Sequence, residues 1–194
     1  GYFFIDMDST MHALDVLTQR VSVAQLSGPD ITTEQLEILI RAALRAPDHA
    51  WLRPSRYLTV QGQARSRLGE LFLQATPDWQ QLPADKQQKL LKAPLRAPLV
   101  IVAVCRVQEH PKVPALEQLL STGAGVQNLL NAAWAMGLGA IWRTGDVAHN
   151  PDVARAMGLA ADEQIVGFIY VGHPNTTLKT VPALDVSDFV TDWR

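Results

Sequence analysis

The sequence predicts an α+β fold, a central and mostly antiparallel sheet of about four strands surrounded by helices. Three observations carry that reading. Four apolar runs bounded by Gly or Pro read as strands, and amphipathic stretches of helical spacing lie among them. The two kinds follow one another without the strict strand–helix–strand repeat of a parallel sheet. At 194 residues, 47% hydrophobic and 19% charged, the chain is long enough and apolar enough for one domain with a sizeable core, taken as 11–194.

Residues 1–10 hold a four-residue apolar patch, Tyr2 to Ile5, and two acids, without the basic start or apolar length of a signal peptide. They read as an added leader or a misassigned start, with Met11 as the preferred beginning. Leu14 and Leu17 then mark a short helix from Ala13 to Arg20. After Val21-Ser22-Val23 and a loop carrying Gly28-Pro29, Thr32-Thr33-Glu34-Gln35 reads as a capping box. The helix it opens places Leu36, Leu39, Ile40, Ala43 and Leu44 on one face and ends at Arg45, before Pro47. Arg56 to Gln61 reads as a strand stopped by Gly62, and Leu68, Leu71 and Phe72 give a helix over Gln63–Gln74. Asp85 to Lys92 reads as an exposed helix of low chemical signal.

Leu99 to Val104 is a continuous apolar run fit for a strand buried on both faces, with Cys105 at its end. From Gln118 to Trp142 there are 25 residues without a charge. A membrane helix is excluded there by Gln118, Ser121, Thr122, Gln127, Asn128 and Asn131, and by the break at Gly137-Leu138-Gly139. The run reads instead as a helix to about Met136, apolar on most sides and buried in a core or a subunit interface, followed by a strand at Ala140–Thr144. Asn150-Pro151 opens a short helix to Met157, and Ile165–Val171 is the last strand, closed by Gly172-His173-Pro174. The tail keeps Val181, Leu184, Val186, Phe189, Val190 and Trp193, so it must dock in cis or on a partner subunit.

The formal net charge of −2 and the absence of any dense Lys/Arg run argue against a nucleic-acid partner. A single cysteine makes no intrachain disulfide, which points to a cytoplasmic protein. Chemistry concentrates at three places: Arg20-Val21-Ser22 after the first helix, Arg45-Ala46-Pro47-Asp48-His49 after the second, and Trp142-Arg143-Thr144 at a strand end. Each sets an Arg and a hydroxyl or imidazole beside an element end, where free backbone donors can meet an anion. Each also has a plain reading, a surface cation with a capping hydroxyl or a polar turn. Neither a Walker loop nor a GxGxxG fingerprint is present.

Taken together and in order, these segments resemble the FMN-dependent nitroreductase family in its short form, from about Met11 to Trp193. The resemblance rests on Gln19-Arg20-Val21-Ser22, on Arg45 to His49 followed by Pro54-Ser55-Arg56-Tyr57, on Gly123 to Gly139, on Ile141 to Gly145, and on Ile169 to Pro174. It implies an intertwined homodimer of nitroreductase-like fold with FMN at each subunit interface and a small-molecule electron acceptor. Arg20 and Ser22 would then hold the FMN phosphate and ribityl end, with Val21 contributing backbone. Arg45 and His49 match flavin-contacting positions, Arg45 standing as the cation for the reduced ring. Trp142, Arg143 and Thr144 would contact FMN from the other subunit's side. Ala132, Ala133, Trp134, Ala135, Met136 and Gly137 match the stretch associated with NAD(P)H. The implied activity is ping-pong hydride transfer from NAD(P)H through flavin N5 to a nitroaromatic, quinone or similar acceptor, the flavin carrying the chemistry.

The chain departs from the family pattern at Val21, where a second Arg is frequent, at Ala24 and Ala50, where polar or basic residues occur, and at Ser55, where Trp often follows Pro. Arg53 adds a cation nearby. Three rivals stand beside the reductase: an FMN storage or sensing protein with little turnover, a related flavin enzyme acting with oxygen or on halogenated substrates, and a ligand-free interaction domain.

Overall fold

The computed structural model describes residues 12–194, so the expectations for 1–10 and Met11 lie outside the described residues. Seven α-helices and five strands are described: α1 (Ala13–Gln19), β1 (Leu26–Ser27), α2 (Thr33–Ala43), β2 (Ser55–Gln61), α3 (Ala64–Gln74), α4 (Ala84–Lys92), β3 (Leu99–Arg106), α5 (Ala115–Ala135), β4 (Gly139–Arg143), α6 (Gly145–His149), α7 (Pro151–Ala156) and β5 (Glu163–Pro174). Every strand pairing is antiparallel. β2 pairs with β3 and β3 with β5, while β5 also takes β4 along Phe168–Gly172 and β1 at His173–Pro174.

The four expected strands are all present, and β1 is an addition of two residues that no apolar run announces. Seven consecutive β3 residues, Leu99 to Cys105, have no exposed surface. Strand alternation sends Val100, Val102 and Val104 to one face and Leu99, Ile101 and Ala103 to the other. The first face packs on Leu68 and Phe72 of α3, Ala148 of α6 and Val153 of α7, with Phe72 and Phe168 meeting edge to face at 5.0 Å. The second packs on Leu39 and Ala43 of α2 and Val126, Leu129 and Leu130 of α5. Helices therefore cover both faces.

The capping box forms as expected: Gln35 N–H donates to Thr32 Oγ1 at 3.1 Å and Thr32 N–H donates to Gln35 Oε1 at 3.0 Å. α2 stops at Ala43, two residues before Arg45, and Leu44 is left exposed instead of joining the apolar face. Asn150 caps α7 by accepting from Asp152 N–H at 2.8 Å. Thr144 leaves the sheet and instead precedes α6, a helix without a strong apolar signature. α5 is buried on one side only, since Leu116 and Leu120 are exposed within the chain. The tail stays open too, with Phe189 at 71% and Trp193 at 99% exposure, so it finds no cover among the described residues. No helix among the described residues is long and apolar enough to cross a membrane.

Candidate functional site

β4 delivers Arg143 to the end of the sheet, and the chain turns through Thr144 and Gly145, whose φ of +67° suits glycine. Arg143 and Thr144 there line a cavity of about 580 Å³ closed by α4, the end of α3 and β5. Its walls are mostly apolar, including Phe72, Leu82, Leu90 and Phe168, with Thr76 and Tyr170 as uncharged polar members. Its charges are Lys86, Lys89, Arg96 and Arg143 against one acid, Asp146. Burial raises the Tyr170 phenol above its ordinary value, and the positive charges of Arg143 and Arg96 draw it part of the way back.

The loop after α1 is pinned to the sheet edge by Val23 N–H donating to Ala140 O at 3.0 Å and Asn175 N–H donating to Gln25 O at 3.1 Å. Ser22 lines a smaller cavity there, about 160 Å³, with Thr176, Thr177 and Lys179 on its far wall. Arg20 Nη1 and Arg143 Nε are buried without a hydrogen-bond acceptor among the described residues. An unpaired buried guanidinium N–H costs about 1–3 kcal/mol or more, so both nitrogens want an acceptor beyond the described residues.

Arg45 and His49 lie elsewhere. They follow α2, which packs on the opposite face of the sheet from α4, and neither reaches the Arg143–Thr144 cavity. Arg41 is taken up by Glu37 at 2.5 Å, which leaves exposed Arg45 with no acid partner among the described residues. His49 Nδ1 meets Glu117 Oε2 of α5 at 2.6 Å. The turn that follows is strained, with left-handed φ at Ala50 (59°), Trp51 (53°) and Arg53 (51°). It is held by Asp48, whose carboxylate accepts from Leu52 N–H, Arg53 N–H and Arg53 Nη1, each at 3.0 Å. Ser121 Oγ also donates to Pro47 O at 2.6 Å, and Gln108 Nε2 donates to Leu52 O at 2.7 Å.

Trp142 Nε1 donates to Val166 O at 3.2 Å, which lays the indole over Gly167. The stretch Ala132–Gly137 forms the last turn of α5 and its cap. Ala133 is fully buried, Ala132 and Met136 pack toward the same core, and Trp134 packs on the other face with Nε1 buried and unpaired. Gly137 is exposed at a φ of +73°. Of the departures, Ser55 is half-buried, its Oγ donating to Thr122 Oγ1 at 3.2 Å.

Sequence reasoning missed Lys86, Lys89, Arg96 and Lys179. The two α4 lysines stand three apart, a like-charge pair on one helix face, which was the available signal. Lys179 is an isolated cation in a tail, and nothing local marks it.

The Nitroreductase family model matches residues 17–173, which spans the Arg143–Thr144 cavity, the loop after α1 and all five strands up to His173. The chain belongs to the nitroreductase family. It is 37% identical over 182 residues to an Escherichia coli K12 protein named "Putative NAD(P)H nitroreductase YdjA", covering 92% of this chain and 96% of that one. The fold is similar to that of a nitroreductase-like family protein from Bacillus cereus, with a TM-score of 0.83 at 23% identity over 94% of this chain and 96% of that one. It is also similar to a Desulfovibrio desulfuricans structure described as a "putative nitroreductase in complex with fmn", with a TM-score of 0.73 at 19% identity over 94% and 96% of the two chains.

Proposed function

We propose that the protein is an FMN-dependent oxidoreductase that uses NAD(P)H to reduce nitroaromatic, quinone or similar electron-poor acceptors. The observation that carries the reading is the pair of orphaned guanidinium nitrogens, Arg20 Nη1 and Arg143 Nε, each buried close in sequence to a hydroxyl, Ser22 or Thr144. FMN fits this donor set, since its phosphate and ring carbonyls are acceptors and these nitrogens lack one. The relative named an NAD(P)H nitroreductase and the fold neighbour in complex with FMN support the same cofactors here.

In this reading Arg20 and Ser22 hold the phosphate end, with Val21 offering its backbone, and Arg143, Thr144 and Trp142 border the ring. When bound, FMN supplies two-electron hydride chemistry between NAD(P)H and the acceptor. The protein contributes charge, orientation and apolar walls that exclude water. Of the stretch Ala132–Gly137, exposed Gly137 is the residue open to NAD(P)H, the Trp134 indole nitrogen being buried against the core.

A homodimer completes the site. Within one chain Arg45 and His49 are on the far side of the sheet from Arg143, so they reach a flavin only if it belongs to a second copy. The same association would cover Leu14, Leu17, Leu116, Leu120 and the apolar tail, all exposed in the single chain. Size-exclusion chromatography with light scattering is expected to give twice the 21.3 kDa chain mass.

The deciding experiment is a visible spectrum of the purified protein, followed by anaerobic addition of NADPH or NADH. Flavin absorbance that bleaches is the expected outcome. No FMN uptake from excess would overturn the reading, and uptake without bleaching would favour a flavin-storing protein. Arg20→Ala and Arg45→Ala are each expected to weaken FMN binding at least about tenfold, as loss of a charge-assisted hydrogen bond does.

A further inference from the structure

The cavity beside Arg143 carries more positive charge than a flavin can use. Lys86 and Lys89 stand on one face of α4, Arg96 ends the turn that follows it, and Arg143 closes β4, with Asp146 as the one acid on the lining. Neither lysine nor Arg96 has an ion-pair partner among the described residues. Two lysines three apart on a helix repel unless an anion lies between them. Beside the uncharged polar Thr76, Thr144 and Tyr170, the walls carry the apolar Phe72, Leu82, Leu90 and Phe168, which weaken solvent screening and focus the cationic field into the cavity.

Resting on the flavin reading above, we infer that this cavity selects acceptors that carry an anionic group, a carboxylate or a sulfonate, on an aromatic ring. In that reading the FMN phosphate is held by Arg20 and Ser22, outside this lining, and the flavin ring takes at most one negative charge on reduction. The surplus of Lys86, Lys89 and Arg96 is therefore left for the acceptor, whose ring meets the apolar walls while its anion meets the lysines. For a nitro acceptor the overall step is balanced by NAD(P)H giving a hydride and solvent giving one proton, with NAD(P)+, a nitroso product and water formed.

The test compares 4-nitrobenzoate with 4-nitrobenzamide, which share the ring and the nitro group and differ in one charge. With the FMN-loaded enzyme, kcat/KM for the benzoate is expected to exceed that for the benzamide by about tenfold at 50 mM salt, chiefly through KM. The ratio is expected to fall toward one at 500 mM salt, and in Lys86→Gln/Lys89→Gln at low salt. Both lysines are exposed, so the double variant removes charge without emptying the core. A wild-type ratio near one overturns the inference. So does a double variant that weakens FMN binding or raises the KM for NADPH while leaving the ratio unchanged, because the lysines would then serve the cofactors. Anaerobic bleaching by NADPH is recorded first. Bleaching with a ratio near one sinks the acceptor preference alone, whereas no bleaching removes the flavin reading and this inference with it.

Discussion

Gly167 lies on β5 under the Trp142 indole, and its missing side chain lets the tryptophan close over the sheet beside Arg143. A Cβ at this position would overlap the Trp142 indole nitrogen, lie 2.5 Å from Cδ1 and come within 3.2 Å of Arg143 O. Gly167→Ala must therefore expel the indole and break its 3.2 Å hydrogen bond to Val166 O. The lost bond costs about 0.5–1.5 kcal/mol and the overpacking about 1–3 kcal/mol, together roughly 2–4 kcal/mol. For a chain of this length that lowers Tm by roughly 4–16 °C. Urea unfolding with tryptophan fluorescence measures the change, and FMN titration is expected to show weaker binding because Arg143 and Thr144 are the next residues along the chain. In Gly167→Ala/Trp142→Ala the overlap is gone, so the second substitution should restore part of the stability lost in the first. A Gly167→Ala protein as stable as wild type, or a double variant whose losses simply add, would refute the packing argument.

Thr32→Ala removes one half of the α2 capping box and is expected to cost about 1 kcal/mol by urea denaturation, with Gln35→Ala costing less. Arg56 donates from Nε and Nη2 to both Glu163 oxygens at 2.6 and 2.9 Å, and Ala160 N–H adds a third bond at 2.9 Å. These bonds, Arg56 first, hold the Glu163 carboxyl below its ordinary value. A lowered carboxylate adds stability above its unfolded value of about 4.3, and that stability is lost as pH falls through the folded value. The Tm difference between wild type and Glu163→Gln should therefore be present at pH 7 and shrink steadily below about pH 4.3; a constant difference down to acid would exclude the ion pair as its source. Ala50 is held at a φ of 59° and a ψ of 15°, so Ala50→Gly relieves strain and is expected to raise stability by up to about 1 kcal/mol in thermal melts. A loss larger than that would place a needed contact in the Ala50 methyl.

The strands were legible because each is an apolar run with Gly or Pro at its borders. Leu99 to Val104 was legible because a short apolar run rich in β-branched residues and flanked by Pro98 suits a strand covered on both faces. The α2 cap was legible for a similar reason, as Thr32 and Gln35 are within three residues of each other. The two-residue β1 was not, because its pairing with His173 and Pro174 depends on a residue separation that no local pattern encodes. α6 was hidden likewise: it begins at a left-handed glycine and buries only Ala148. Leu44 fits the apolar spacing of α2 yet is exposed, because the helix stops one residue earlier and the face turns away.

For the site, the sequence by itself determined the chemical types. Arg20-Val21-Ser22, Arg45 to His49 and Trp142-Arg143-Thr144 could be singled out because cations beside hydroxyls or an imidazole at element ends are local facts. Which of them share a space was decided by the tertiary structure alone. The sheet separates Arg45 and His49 from Arg143, while α4 brings Lys86 and Lys89 to Arg143 across more than fifty residues of chain. The physical reason is that side-chain chemistry belongs to single residues, whereas an electrostatic field in a cavity belongs to whichever surfaces the packing of helices on a sheet brings face to face.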